Sequence, residues 1–112
     1  MKKLIIYLTD SRPSFTLPEG MYGHDWITFK RDYQYFIEKA IQQANKRGAS
    51  YATIDIDSLP ELSDDLNELK ENMKGCTNIA DWNTQREIAK NYFTFSCICD
   101  LDASGYIKKV LK

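Results

Sequence analysis

The spacing of apolar residues changes period along the chain, and each change predicts an element. Leu4–Thr9 is a short apolar run of strand-forming residues, which suits a central strand buried on both faces. Between Trp26 and Arg47, Phe29, Tyr33, Phe36, Ile37, Ala40, Ile41 and Ala44 recur every three or four positions. Lys30, Arg31, Gln34, Glu38, Gln42 and Lys46 fill the opposite side, so the segment predicts one long amphipathic helix. Asp25 or Thr28 can cap its start, and Gly48 follows its end. In Tyr51–Asp57 the period drops to two: Ala52, Ile54 and Ile56 face one way and Tyr51, Thr53, Asp55 and Asp57 the other, as in a half-buried strand.

Beyond Pro60, the stripe Leu62, Leu66, Leu69 and Met73 predicts a second helix, with Ser63 at its cap and Gly75 at its end. Asn78–Asn91, carrying Ile79, Trp82, Ile88 and Ala89, reads as a third. Tyr92–Leu101 and Tyr106–Leu111 are rich in aromatic and apolar residues and predict two strands joined by a short loop. The expected order is therefore β-α-β-α-α-β-β, an α+β, two-layer domain over residues 1–112. Its sheet is mixed: the first two strands are parallel through a right-handed crossover, a C-terminal β-hairpin is antiparallel, and the helices pack on one face. Ser11–Gly23, containing Pro13, Pro18, Gly20 and Gly23, reads as a long irregular loop.

The C-terminal Asp100-Leu-Asp102-Ala-Ser104-Gly105-Tyr106-Ile107 resembles the opening of a helix–loop–helix calcium loop. That loop needs a bidentate glutamate at its twelfth position, where this chain has Leu111, and an entering helix where this chain has a strand-like run. A hairpin turn accounts for the same residues, with Asp102 bonding to nearby backbone and Gly105 supplying a positive φ.

Composition narrows the function classes. A chain of 112 residues buries roughly two-thirds of its unfolded surface and can fold without staples. The formal net charge is −1, with Lys and Arg scattered, so the overall field gives no drive for sequence-blind DNA binding. Met1-Lys2-Lys3 begins like a secretory signal, but the apolar run stops at Thr9-Asp10, and no stretch reaches the ~20 apolar residues of a membrane span. Cys76, Cys97 and Cys99 are odd in number. On a strand, Cys97 and Cys99 would share a face roughly 7 Å apart, which disfavours a disulfide. A reduced, cytoplasmic protein is expected.

Three chemistries are open to these residues. With the early strands parallel, Asp10, Asp55 and Asp57 would gather at one sheet edge, where open α/β sheets bind ligands. Carboxylates there could hold Mg²⁺ for phosphoryl transfer, with Ser11, Arg12 or His24 nearby. No nucleophile–base pair accompanies them, Cys97-Ile98-Cys99 lacks redox spacing, and three thiols with one distant histidine make no zinc motif. Neither a metal nor a cofactor is therefore expected. Second, Ile6-Tyr7-Leu8-Thr9-Asp10 is faintly similar to the first-strand motif of RNA-recognition domains, which stack bases on sheet aromatics. Lys90-Asn91-Tyr92-Phe93-Thr94-Phe95 departs from the matching third-strand motif at its small and aromatic positions, and the element order differs. RNA or single-stranded DNA is thus an alternative ligand, not the favoured one.

Third, Tyr22, Trp26, Tyr35, Tyr51, Trp82 and Tyr106 supply the residue types that dominate protein interfaces. Lys108 and Lys109 would discourage indiscriminate pairing if Tyr106–Leu111 were an edge strand. The expected function is a small non-catalytic cytoplasmic module that docks on a protein partner as an inhibitor, immunity-type factor or accessory regulator; a homodimer is compatible with it.

Overall fold

The computed structural model describes residues 2–111 and divides the chain between Leu59 and Pro60 into two compact units. Among the described residues there are six helices and one three-stranded antiparallel sheet, about 53% of the chain being helical. None of these helices is long and apolar enough to cross a membrane.

The first unit contains β1 (Lys3–Tyr7), β2 (Ser14–Thr16), α1 (His24–Asp32), α2 (Gln34–Lys46) and β3 (Tyr51–Asp55), followed by a 3₁₀ turn at Ile56–Ser58. The strand order is β2-β1-β3, and β1 is antiparallel to both neighbours. The parallel pairing expected for the first and second apolar strands is therefore corrected: Lys3 pairs with Asp55 and Tyr7 with Tyr51. The reason is β2, hidden in the stretch expected to be a loop. It sends the chain back to the starting end of β1 before the helices begin, so the helical crossover links β2 to β3 instead of β1 to β3. Pro13 and Pro18 bracket it, as suits a short edge strand that needs few ladder bonds.

Leu4 and Ile6 of β1, Ala52 and Ile54 of β3, and Ile37 and Ala44 of α2 form the buried centre of this unit. The long helix expected over Trp26–Arg47 is broken at Tyr33, whose φ of −101° and ψ of 26° separate α1 from α2. A run of aromatic contacts spans the break. Phe15 meets Trp26 at 5.1 Å, Trp26 meets Phe29 at 6.2 Å, Phe29 meets Tyr33 at 4.8 Å, and Tyr33 meets Phe36 at 5.8 Å between ring centroids. Neither helix has a side-chain cap, so packing of these rings and of the apolar stripe holds them. Gly48 does follow α2, at a φ of +67°.

The second unit is helical: α3 (Leu66–Met73), α4 (Ile79–Ala89), α5 (Phe95–Ala103) and α6 (Tyr106–Val110). The expected C-terminal β-hairpin is corrected to the helix pair α5–α6, and the expected seven-element order with it. Thr94 decides the matter locally. Its hydroxyl accepts from the Cys97 N–H at 3.2 Å, an N-cap that a strand cannot use. Cys97, Ile98 and Leu101 then fall on one helical side and are buried with Leu69, Met73, Trp82, Ala89 and Phe93. Asp102 ends up in the last turn of α5, where its carboxylate takes a two-pronged ion pair from Arg86 of α4, 3.0 Å on the Nε side. Gly105, at a φ of +67°, lets the chain turn from α5 into α6.

α3 is capped by Asp65 instead of the expected Ser63: the Asp65 carboxylate accepts from the Asn67 and Glu68 N–H groups at 3.0 and 3.2 Å. Ser63 instead ties two loops together, its N–H donating to the Tyr92 carbonyl and its carbonyl accepting from the Thr94 N–H. Thr94 is 3% exposed, and its hydroxyl also donates to Asp64 Oδ1. Thr94→Ala is expected to lower stability by about 1–2 kcal/mol, read from urea unfolding, because it removes a cap and leaves the buried Cys97 N–H without its acceptor. Thr94→Ser, which keeps the hydroxyl, should recover most of that loss.

Candidate functional site

Strand alternation gives the sheet of the first unit two unlike faces. Leu4, Ile6, Ala52 and Ile54 point to the helices, so Lys3, Ile5 and Tyr7 of β1 and Tyr51, Thr53 and Asp55 of β3 share the other face. Ser14 and Thr16 of β2 complete it, opposite Tyr7 and Ile5. This face carries a cross-strand tyrosine pair: Tyr7 is 39% exposed and its partner Tyr51 is 54% exposed. Ile5 lies half-buried beside them, framed by the hydroxyls of Thr16 and Thr53. Lys3 and Asp55, directly opposite one another, give the far end both signs of charge. A pair of amphipathic rings with an aliphatic centre and a hydroxyl rim is the make-up of a protein contact patch, where each ring adds large area with little side-chain entropy to lose.

The other sequence-expected contact residues are dispersed. Tyr22 is 75% exposed in the segment before α1. Trp26 is half-buried in the aromatic run, with the Lys30 ammonium 5.7 Å from its ring centroid. Tyr35 is half-buried on α2. Trp82 is 3% exposed and belongs to the interior of the second unit. Tyr106 packs against it at 6.2 Å and receives Lys70 at 5.6 Å, which leaves it half-buried. Of the six, Tyr51 alone lies on the sheet's open face. The sequence alone does not single out Tyr7 and Ile5, because Leu4–Thr9 reads as an apolar run buried on both faces. The alternation Lys3-Ile5-Tyr7 against Leu4-Ile6 is the signal that separates the two sides.

The aspartates do not converge. Asp10 follows the Tyr7 end of β1, whereas Asp55 and Asp57 lie at the Lys3 end, because the strands are antiparallel. Asp57 donates its N–H to Asp55 Oδ1 at 3.2 Å, and its own carboxylate accepts from the Lys2 N–H at 3.2 Å. Among the described residues no three His, Cys, Asp or Glu side chains come together in a way that could hold a metal ion. His24 lies on α1 with its ring nitrogen 3.4 Å from the Thr28 hydroxyl, one turn along.

The thiols are likewise separated. Helix α5 points Cys97 inward and Cys99 outward. Burial pushes the Cys97 thiol up to about 11 from 9.0, with Asp64 and Asp100 adding to the effect. A thiol whose folded pKa is raised loses its proton in the unfolded chain first. Its contribution to stability is thus constant below pH 9 and declines as the pH rises from 9.0 toward 11. Cys97→Ser, whose hydroxyl does not titrate there, should flatten that decline in urea midpoints measured across the range. In the folded protein, iodoacetamide should modify Cys99 and leave Cys97 untouched until denaturant is added.

In the second unit a recess of about 390 Å³ has buried Ala89 and Phe93 and exposed Ile88 and Tyr92 in its walls. No family model matches the chain, and no curated protein and no solved structure matches it either.

Proposed function

We propose that the chain is a small non-catalytic cytoplasmic module that docks on a protein partner, as an inhibitor, immunity-type factor or accessory regulator. The observation that carries this reading is the Tyr7–Tyr51 pair with Ile5 on the open side of the sheet. Monomeric proteins seldom leave adjacent large aromatic side chains on a flat, rigid surface without a use for them, and Tyr is among the residues that most often dominate binding energy. Stacking of nucleic-acid bases uses similar surfaces but needs a groove of positive charge along the backbone path. Here Lys3 is set against Asp55 on the face itself, and the overall charge is −1. Protein docking is the reading this balance favours.

The test is photocrosslinking in the host cell with a benzophenone amino acid at Thr16, on the open face, and at Glu38, an exposed position on α2. A discrete protein adduct from Thr16 and none from Glu38 is expected. An RNA adduct, or no adduct at Thr16, overturns the reading.

A further inference from the structure

Helix α4 leaves one stripe uncovered. Asp81, Gln85, Ile88 and, just past the helix end, Tyr92 recur at i, i+4, i+7 and i+11, the spacing of a single helical face, and all four are exposed. Ile88 is 45% and Tyr92 60% exposed, so the stripe shows water a large apolar area. On α3, Glu68 and Asn72 lie one turn apart and are exposed too. Two recesses of about 390 and 420 Å³ lie between these residues and share Asn72 and Gln85 in their walls, so they form one groove. Its interior side is apolar: buried Ala89 and Phe93 line one recess and buried Cys76 the other.

The charge of this groove has one sign. Glu68 stands in one recess and Asp81 in the other, and no Lys or Arg lines either. Asp81 accepts from the Thr77 hydroxyl at 3.0 Å, a neutral donor that leaves its charge in place. The cations of the two helices are engaged elsewhere. Lys74 pairs with Glu71, Arg86 with Asp102 and Lys90 with Glu87, while the Lys70 ammonium lies 5.6 Å from the Tyr106 ring centroid. Their positions explain why. Lys70 and Lys74 follow Glu68 and Asn72 by two residues each, and Lys90 follows Ile88 by two, which is about half a turn around a helix.

We propose that the α3–α4 groove accepts a basic amphipathic helix of a partner protein. Its apolar stripe covers Ile88 and Tyr92, and its Lys or Arg side chains meet Glu68 and Asp81. This is a docking surface separate from the open sheet face, and it rests on the protein-docking reading for the class of ligand. A groove between two helices fits a third by the same interlocking of side-chain rows that packs helices in a core, and helix-in-groove capture is a recurring mode of recognition. Charge then selects among occupants. A second copy of this chain, docked face to face through the same patch, would set Glu68 and Asp81 against the same carboxylates with no cation to offset them. Nucleic acid would bring phosphates to a groove without a positive group.

Panning a phage-displayed library of helix-forming peptides against the full chain tests this. Enriched peptides should repeat Leu, Ile or Met at spacings of three and four and carry Lys or Arg beside that stripe. Tyr92→Ala should weaken the selected peptide about tenfold or more, the scale of an interface aromatic, with circular dichroism unchanged because the ring is exposed. Glu68→Gln combined with Asp81→Asn should weaken it about tenfold at low salt, and Glu71→Gln, outside the groove, should not. Replacing the peptide's Lys and Arg by Gln should cost affinity for the wild type and little for the E68Q/D81N variant, a coupling that a folding defect does not produce. No enrichment, enrichment of acidic peptides, equal affinity for the groove variants and the wild type, or additive effects in that cycle would overturn the proposal. If a benzophenone amino acid at Thr16 captures a host protein and one at Gln85 captures none, the groove assignment fails while docking through the open sheet face stands.

Discussion

Ile98→Ala should destabilise the second unit by about 3–4 kcal/mol, within the range found for emptying a fully buried aliphatic site. Ile98 has no solvent exposure, and it sits on α5, which packs on α3. The deleted carbons lose their transfer energy and leave a cavity that helices fixed by the Asp65 and Thr94 caps cannot readily close. A small unit has few kcal/mol in reserve, so the variant should unfold substantially at moderate urea. Fluorescence separates the response, because Trp82 lies inside this unit and Trp26 inside the other. Ile98→Val should cost under about 1.5 kcal/mol. The same logic distinguishes helix from hairpin at the C-terminus. In a strand Cys97 and Cys99 would respond alike; on α5, Cys99→Lys should be neutral within about 0.5 kcal/mol and Cys97→Lys should prevent folding of the unit. A neutral Ile98→Ala, or equal tolerance at the two cysteines, would refute the helical assignment.

The second large effect concerns binding. Once a partner is in hand, Tyr51→Ala should weaken its affinity by about thirtyfold or more, the size of a hot-spot truncation. Tyr7→Ala should do the same, and the double variant should lose less than the product of the two, since the rings are neighbours on one face. Stability should fall by less than about 1 kcal/mol per ring, because each is exposed and contributes only a cross-strand contact. Titration calorimetry with a matched urea melt separates the two outcomes. Affinity that survives both truncations would remove the open face from consideration. Loss of binding with a steep inverse dependence on salt would point to nucleic acid instead.

Local, periodic signals carry the elements that are legible in the sequence. α4 and the start of β3 follow from apolar spacing together with Asn78 and the alternation at Tyr51–Asp55. α3 was placed to within a few residues, although two acceptors, Ser63 and Asp65, compete for the cap role and only Asp65 meets the first-turn N–H groups. Local signals misled at the C-terminus. Tyr92-Phe-Thr-Phe-Ser-Cys-Ile-Cys has the composition of a strand, yet Thr94, Cys97, Ile98 and Leu101 carry the three-and-four spacing of a capped helix, and burial against α3 settled the choice. The proposed docking face was half legible. Tyr51 stood out as the wet side of an alternating strand, but Tyr7 is indistinguishable from a buried residue until a second strand assigns each side of β1.

The amino-acid sequence by itself determined the mixed α and β character and the helical stretches that hold α2, α3 and α4, and it contains no apolar run long enough to span a membrane. Those properties depend on neighbours within a turn or two of the chain. Strand direction, the separation of Asp10 from Asp55 and Asp57, and the meeting of Tyr7 with Tyr51 were decided only by the tertiary structure. They hinge on one three-residue edge strand, Ser14–Thr16, too short and too hemmed by proline to show a period of its own. Its stability comes from pairing with β1 and from the Phe15–Trp26 contact, both made with residues outside the strand, so no periodicity within it reports them.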